Sequence, residues 1–227
     1  MRFKAVLSDL DGTLLNTLED LADSMNAVLR NKGFAEHGMA AYKYFIGNGL
    51  ELLVRRALPR DSRDDAMVGT CLESLKKEYS KRLTAKTRPY PGIPELLDKC
   101  TAYGLKIAIL SNKPDTETRQ IVEKILSAWH FEIVRGSKPD IPKKPDPAAA
   151  LLIARKMGIA PRDFIYLGDT DVDMQTAASA GMFAVGVLWG FRDARELIRG
   201  GAKMLIKNPL DLPEWIEEQK NKPQEKM

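Results

Sequence analysis

Six short runs in this chain are almost unbroken in apolar residues. They cover residues 3–8, 105–110, 131–134, 164–167, 183–187 and 204–206. Runs of that length, too short for helices and not alternating with polar residues, suit strands buried on both faces. Such strands belong to parallel sheets covered by helices on each side. The intervals between the later runs read as helices. Pro94 suits a helix opening that closes near Gly104, and a second helix is predicted over 116–128. Pro147 opens a third over 148–157, which Gly158 closes, and a fourth runs from about Asp173 to Gly181.

The first interval is different. From residue 15 to 85 there is no convincing strand, and apolar residues fall at helical spacing. Leu21, Met25, Val28 and Leu29 share one face, with Thr17 as the predicted N-cap and Gly33 as the stop. Further helical stretches cover 39–45, then Leu50 to Leu58, then Val68, Cys71, Leu72, Leu75, Tyr79 and Leu83. The predicted fold is therefore α/β: a doubly wound parallel-sheet core made of residues 1–14 and 86–227, with an all-helical unit, residues 15–85, inserted after the first strand. Beyond Trp215 a short helix is expected to run into a charged, disordered end.

Composition narrows the function. The net charge is +4, from 35 basic and 31 acidic residues, without a basic stripe interleaved with aromatics, so nucleic acid is not an expected partner. No run approaches a membrane span, and the N-terminus lacks the pattern of a secretory leader. Cys71 and Cys100 stand in no metal-like spacing and read as reduced thiols. A cytoplasmic protein with no membrane partner, monomeric or homodimeric, is the expectation.

In an open α/β sheet, ligands bind beyond the carboxyl ends of the strands. Three predicted strand ends carry polar chemistry: Asp9-Leu10-Asp11-Gly12-Thr13, Ser111-Asn112, and Gly168-Asp169 with Asp171 and Asp173. Lys144 lies in the loop before the Pro147 helix, where a helix dipole disfavours a cation unless an anion shares the place. Each piece alone has a commonplace reading as a turn, a cap or a solvated charge. Together they form one set of parts: carboxylates, a hydroxyl and a cation. Oxygen ligands from Asp9, Asp169 and a backbone carbonyl near Asp11 suit Mg²⁺. Lys144 and the Ser111 hydroxyl can hold the other oxygens of a phosphoryl group. One N-terminal aspartate can attack phosphorus while the other moves protons.

These four signatures, Asp9-Leu10-Asp11-Gly12-Thr13, Ser111-Asn112, Lys144-Pro145 and Gly168-Asp169-x-x-x-Asp173, resemble the haloacid dehalogenase superfamily in kind and in order. The resemblance implies a Rossmann-like core and a small helical cap that closes over the substrate. It implies Asp9 as nucleophile and Asp11 as acid/base, with Ser111, Asn112 and Lys144 binding substrate phosphate. It also implies Mg²⁺ on Asp9, Asp11 and Asp169, supported by Asp173, with Asp11 contributing its carbonyl and keeping its side chain free for the proton.

Within the superfamily the chain is most similar to phosphoglycolate phosphatases. The stretches carrying this are Phe45-Ile46-Gly47-Asn48-Gly49 with Arg55-Arg56-Ala57-Leu58, Ser111-Asn112-Lys113-Pro114, and the ten residues from Gly168. Asn16-Thr17, where many relatives have Asp-Ser, is a departure in the hinge toward the cap. The implied activity is Mg²⁺-dependent hydrolysis of a small phosphorylated metabolite, phosphoglycolate foremost, through an aspartyl phosphate. Gly47 and Gly49 offer a loop able to approach the site, and Lys43, Arg55 or Arg56 could meet a substrate carboxylate. The alternatives are a sugar phosphomutase or pyrophosphatase on the same scaffold, or a non-enzymatic phospho-acceptor module of the receiver type.

Overall fold

A computed structural model describes residues 3–221. Strand β1 (Ala5–Ser8) is followed by the two-residue strand β2 (Leu15–Asn16) and four helices: α1 (Leu18–Asn31), α2 (Met39–Phe45), α3 (Leu50–Ala57) and α4 (Asp65–Lys81). Then come β3 (Arg88–Pro89), α5 (Ile93–Ala102), β4 (Lys106–Pro114), α6 (Asp115–Ile125), β5 (Ile133–Ser137) and α7 (Ala148–Met157). The chain continues through β6 (Phe164–Gly168), α8 (Asp171–Ala180), β7 (Phe183–Val187), α9 (Ala194–Gly200), β8 (Met204–Ile206) and α10 (Asp211–Asn221). The charged end expected to be disordered, residues 222–227, lies outside the described residues.

Six of these strands form one parallel sheet in the order β5-β4-β1-β6-β7-β8. Side chains alternate between its faces. Val6, Ile107, Ile109, Ile165 and Leu167 pack with α5, α6 and α10, while Ala5, Leu7, Ala108, Phe164 and Tyr166 pack with α7, α8 and α9. Both faces are covered, as the unbroken apolar runs require. The chain moves outward from β1 through β4 to β5 and then crosses back to β6 on the other side. A crevice therefore opens at the carboxyl end of β1, between β4 and β6.

Helices α1 to α4 bury a cluster of their own, including Leu21, Met25, Tyr42, Leu53, Leu75 and Tyr79, which Phe191 joins from the loop after β7. Each buried leucine of that kind contributes roughly 1.5–3 kcal/mol. Two short connections tie this helical unit to the sheet, and they pair: β2 runs antiparallel to β3, Leu15 opposite Pro89 and Asn16 opposite Arg88. Asp20, buried at the start of α1, accepts hydrogen bonds from the Lys86 and Thr87 backbone and from the Thr87 hydroxyl. Its carboxylate thus binds the incoming connection to the outgoing one.

Several local expectations need correction. The interval 15–85 does hold strand residues, because β2 begins it; a two-residue ladder is too short to show a period. Strand β4 does not stop at residue 110 but runs through Ser111 and Asn112 to Pro114, past a register shift against β5. The polar residues there find partners inside the protein, so the strand need not end. Helix α8 starts at Asp171, with Thr170 as N-cap and Asp173 closing a capping box. Helix α9 was not anticipated. Thr17 does precede α1, but its hydroxyl makes no capping bond. Both cysteines are buried and free.

Candidate active site

Asp9 is the first residue past β1, and its N–H donates to the Leu167 carbonyl at 2.9 Å, continuing the pairing with β6. Gly12, at φ 91°, then turns the chain, and its N–H donates to Leu15. That glycine is needed for space as well as for its backbone. A Cβ there would stand 2.3 Å from Asp169 Oδ2, and one on Gly190 would stand 2.3 Å from the Asp169 Cβ. Two loops therefore close directly onto Asp169.

Asp9, Asp169 and Asp173 are buried, and each offers a carboxylate oxygen within 4.8 Å of the others. Lys144 answers part of that charge: its ammonium is 2.6 Å from Asp9 Oδ1 and 2.7 Å from Asp173 Oδ1. The cation expected to need an anion has these two carboxylates as its partners. It belongs to the strand ends and not to the α7 terminus, which begins only at Ala148. Asp173 is held further by the Thr170 N–H and hydroxyl on Oδ2. Asp169 accepts from the Phe191 N–H at 2.8 Å and the Thr13 hydroxyl at 3.2 Å.

The electrostatics match this crowding. Burial pushes the Asp9 carboxyl well above the usual range, with Asp173 and Asp169 adding to the rise and Lys144 opposing it. Burial, then the charge of Asp173, pushes Asp169 up to about 7. Buried oxygen donors that resist ionisation for want of positive charge fit a hard divalent cation.

Asp11 is placed differently. The buried Lys113 ammonium lies 3.0 Å from its Oδ1, and the Ser111 hydroxyl approaches Oδ2 at 3.5 Å. Two acids separated by one residue thus face separate lysines. Lys113 also donates to the Tyr79 hydroxyl at 2.7 Å, and Tyr79 sits on α4. Burial works against the Lys113 charge, but Asp11 and Tyr79 outweigh it, and its pKa is raised. In the sequence Lys113 is visible only as part of the Ser111-Asn112-Lys113-Pro114 motif. The signal that could have marked it is a lysine inside a strand otherwise buried on both faces.

Ser111 and Asn112 are buried at the same end of the sheet. The Asn112 side chain spans three segments: it accepts from the Lys144 N–H and donates to the carbonyls of Lys144 and Gly47. Gly47 and Gly49 do approach the site, at φ 116° and 93°. With Leu21, Ile46, Leu50 and Leu53 they roof a cavity of about 30 Å³ whose floor includes Asp9, Asp11, Ser111 and Lys113. Arg192 holds the roof by donating to the Lys43 and Ile46 carbonyls.

The three basic residues considered for a substrate carboxylate do not line this cavity. Arg55 pairs with Glu51 and Asp65 on the exposed side, and Arg56 donates to the Tyr44 and Phe45 carbonyls. Lys43 is exposed. Among the described residues, no helix is long and apolar enough to cross a membrane.

Residues 6–187 match the family model of haloacid dehalogenase-like hydrolases. The phosphoglycolate phosphatase of Nitrosospira multiformis is 34% identical over 197 residues, covering 86% of this chain and 87% of that protein. That of Pseudomonas putida is 31% identical over 207 residues, covering 89% and 76%. A crystal structure from Lactobacillus delbrueckii subsp. bulgaricus, provisionally described as a phosphoglycolate phosphatase, superimposes with a TM-score of 0.89 at 28% identity, covering 95% of this chain and 99% of that one. With its Rossmann-like sheet, its acid cluster at the switch point and these matches, the chain belongs to the haloacid dehalogenase-like hydrolases and stands among their phosphatases.

Proposed function

We propose that this enzyme hydrolyses small phosphate monoesters, phosphoglycolate foremost, by Mg²⁺-dependent phosphoryl transfer through an aspartyl phosphate on Asp9. The observation that carries this reading is the position of the Asp9 carboxylate. It lies in the floor of the cavity beneath the Gly47–Gly49 loop, 2.6 Å from the Lys144 ammonium and beside two further buried acids. An Asp9 oxygen attacks phosphorus as the ester bond breaks. Lys144 and the Ser111 hydroxyl take charge on the remaining phosphoryl oxygens. Asp11 enters the cycle protonated, gives that proton to the leaving oxygen, and regains one from the water that attacks the aspartyl phosphate and frees phosphate. Asp9, Asp169 and the Asp11 carbonyl would hold the Mg²⁺, with Asp173 keeping Lys144 in place beside them. When bound, the ion supplies the positive charge that this cluster lacks.

The names of the two bacterial relatives support phosphoglycolate as the substrate. We further propose that residues 15–85 act as the cap, with the paired connections β2 and β3 as its hinge.

A panel of phosphate esters, with and without Mg²⁺, tests the reading. We expect Mg²⁺-dependent phosphate release, fastest from phosphoglycolate and slower from hexose phosphates. A preference for a hexose phosphate by orders of magnitude would overturn the substrate, and turnover unchanged by chelation would overturn the metal.

A further inference from the structure

We propose that Lys113 is a positioning residue for Asp11, and that Tyr79 makes this positioning conditional on the seating of the cap. The inference rests on the reading of Asp11 as the acid/base. Lys113 and Tyr79 are 5% and 1% exposed, so water does not satisfy either polar group. The Lys113 ammonium has two polar partners at short range, Asp11 Oδ1 at 3.0 Å and the Tyr79 hydroxyl at 2.7 Å. It also lies 4.6 Å from the centre of the Tyr79 ring, whose face attracts a cation.

Lys113 and Asp11 both belong to the sheet side of the molecule, while Tyr79 belongs to α4 of the helical unit. One end of this chain of contacts is therefore the proposed proton donor, and the other end is the element proposed to open and close. The Lys113 backbone is fixed by its N–H donating to the Ser111 hydroxyl at 3.1 Å, and among the described residues Asp11 is the sheet-side polar partner of its long side chain. A lysine side chain carries several rotatable bonds. With Tyr79 in place the ammonium is pinned from both sides, and the Asp11 carboxylate faces the cavity from one direction. With the cap withdrawn, Tyr79 leaves, the ammonium meets water, and Asp11 loses the contact that fixes its orientation. Proton donation is then aligned only when the substrate is enclosed, whereas Asp9, Lys144 and Asp173 touch no cap residue through their short contacts.

The test uses the rate of the first phosphoryl transfer in single-turnover experiments with two esters. Phosphoglycolate has an alkoxide leaving group that needs a proton; p-nitrophenyl phosphate has one that does not. In Tyr79→Phe, which keeps the ring and removes the hydroxyl, we expect transfer from phosphoglycolate to slow about tenfold and transfer from p-nitrophenyl phosphate by less than about twofold. Lys113→Met should show the same selectivity with a larger loss. Equal slowing of both esters, or of neither, in Tyr79→Phe overturns the proposal, since a purely structural role does not distinguish leaving groups. Asp11→Asn separates the two levels of the argument. Selectivity in Asp11→Asn without selectivity in Tyr79→Phe defeats the positioning proposal alone. No selectivity in Asp11→Asn defeats the acid/base reading beneath it.

Discussion

Asp9 and Asp11 leave the same strand two residues apart, yet their surroundings are assembled from different parts of the molecule. Asp9, at the end of β1, meets Lys144, Asp169 and Asp173, which come from the loop before α7, the end of β6 and the start of α8. Every one of these belongs to the sheet and its immediate connections. Asp11 meets Lys113 from β4, and Lys113 is completed by Tyr79 from α4, a helix that packs in a separate apolar cluster. The first group is whole without the helical unit and the second is not. On the proposed reading, phosphoryl capture is built into the core and proton transfer is gated by the cap.

The strongest way to break this contrast is to disable the Asp9 side. Asp9→Asn should abolish turnover of every ester, activated or not, while circular dichroism and thermal unfolding show a folded protein. The asparagine amide oxygen can still accept from the Lys144 ammonium, which Asp173 also continues to pair, so the fold should survive. Full activity in that variant would sink the nucleophile assignment. Lys144→Ala should follow, lowering kcat by about 10²–10³ on both esters, because the lost charge stabilises the phosphoryl group and not the leaving oxygen. A loss confined to phosphoglycolate would place Lys144 with the proton step and erase the distinction between the two lysines. The Tyr79→Phe variant, at about tenfold and on one ester only, is smaller and sharper.

A gentler test concerns pH and metal. Burial raises Asp169 to about 7, so the folded protein holds a proton that the unfolded chain has released. Stability from this group is full below the ordinary carboxylate range and is lost as pH rises toward about 7. The metal-free enzyme should therefore lose thermal stability across that window. Mg²⁺, which competes with the proton, should raise the melting temperature more at pH 8 than at pH 5. An equal gain at both pH values would contradict the view that the acid cluster receives the ion.

The contrast also explains what the sequence made legible. Strand runs such as Phe164–Gly168 and Phe183–Val187 were readable because burial on both faces leaves no polar residue to blur them. Helices Met39–Phe45 and Ala148–Met157 were readable from their spacing and their stops. Asp9, Ser111, Lys144 and Asp169 stood out because strand ends converge at a predictable place. Lys113 did not, because its meaning depends on Tyr79, which sequence reading places only on the buried face of a distant helix. Strands β2 and β3 are two residues each and exist only through one another. Helix α9 does carry a sequence signal: Asp193 caps it by accepting from the Glu196 N–H at 2.9 Å, the spacing of an acidic N-cap.

The most direct test of a core-built capture step and a separate proton step is to trap the phosphorylated enzyme. Asp11→Asn is mixed with p-nitrophenyl phosphate and Mg²⁺, quenched in acid, and mapped by peptide mass spectrometry. We expect close to one phosphoryl group per enzyme on the peptide containing Asp9, because capture proceeds while the water-activating carboxylate is missing. Asp9→Asn treated in the same way should carry none. A phosphoryl group on another residue, or none in Asp11→Asn although p-nitrophenol is released, would contradict the account.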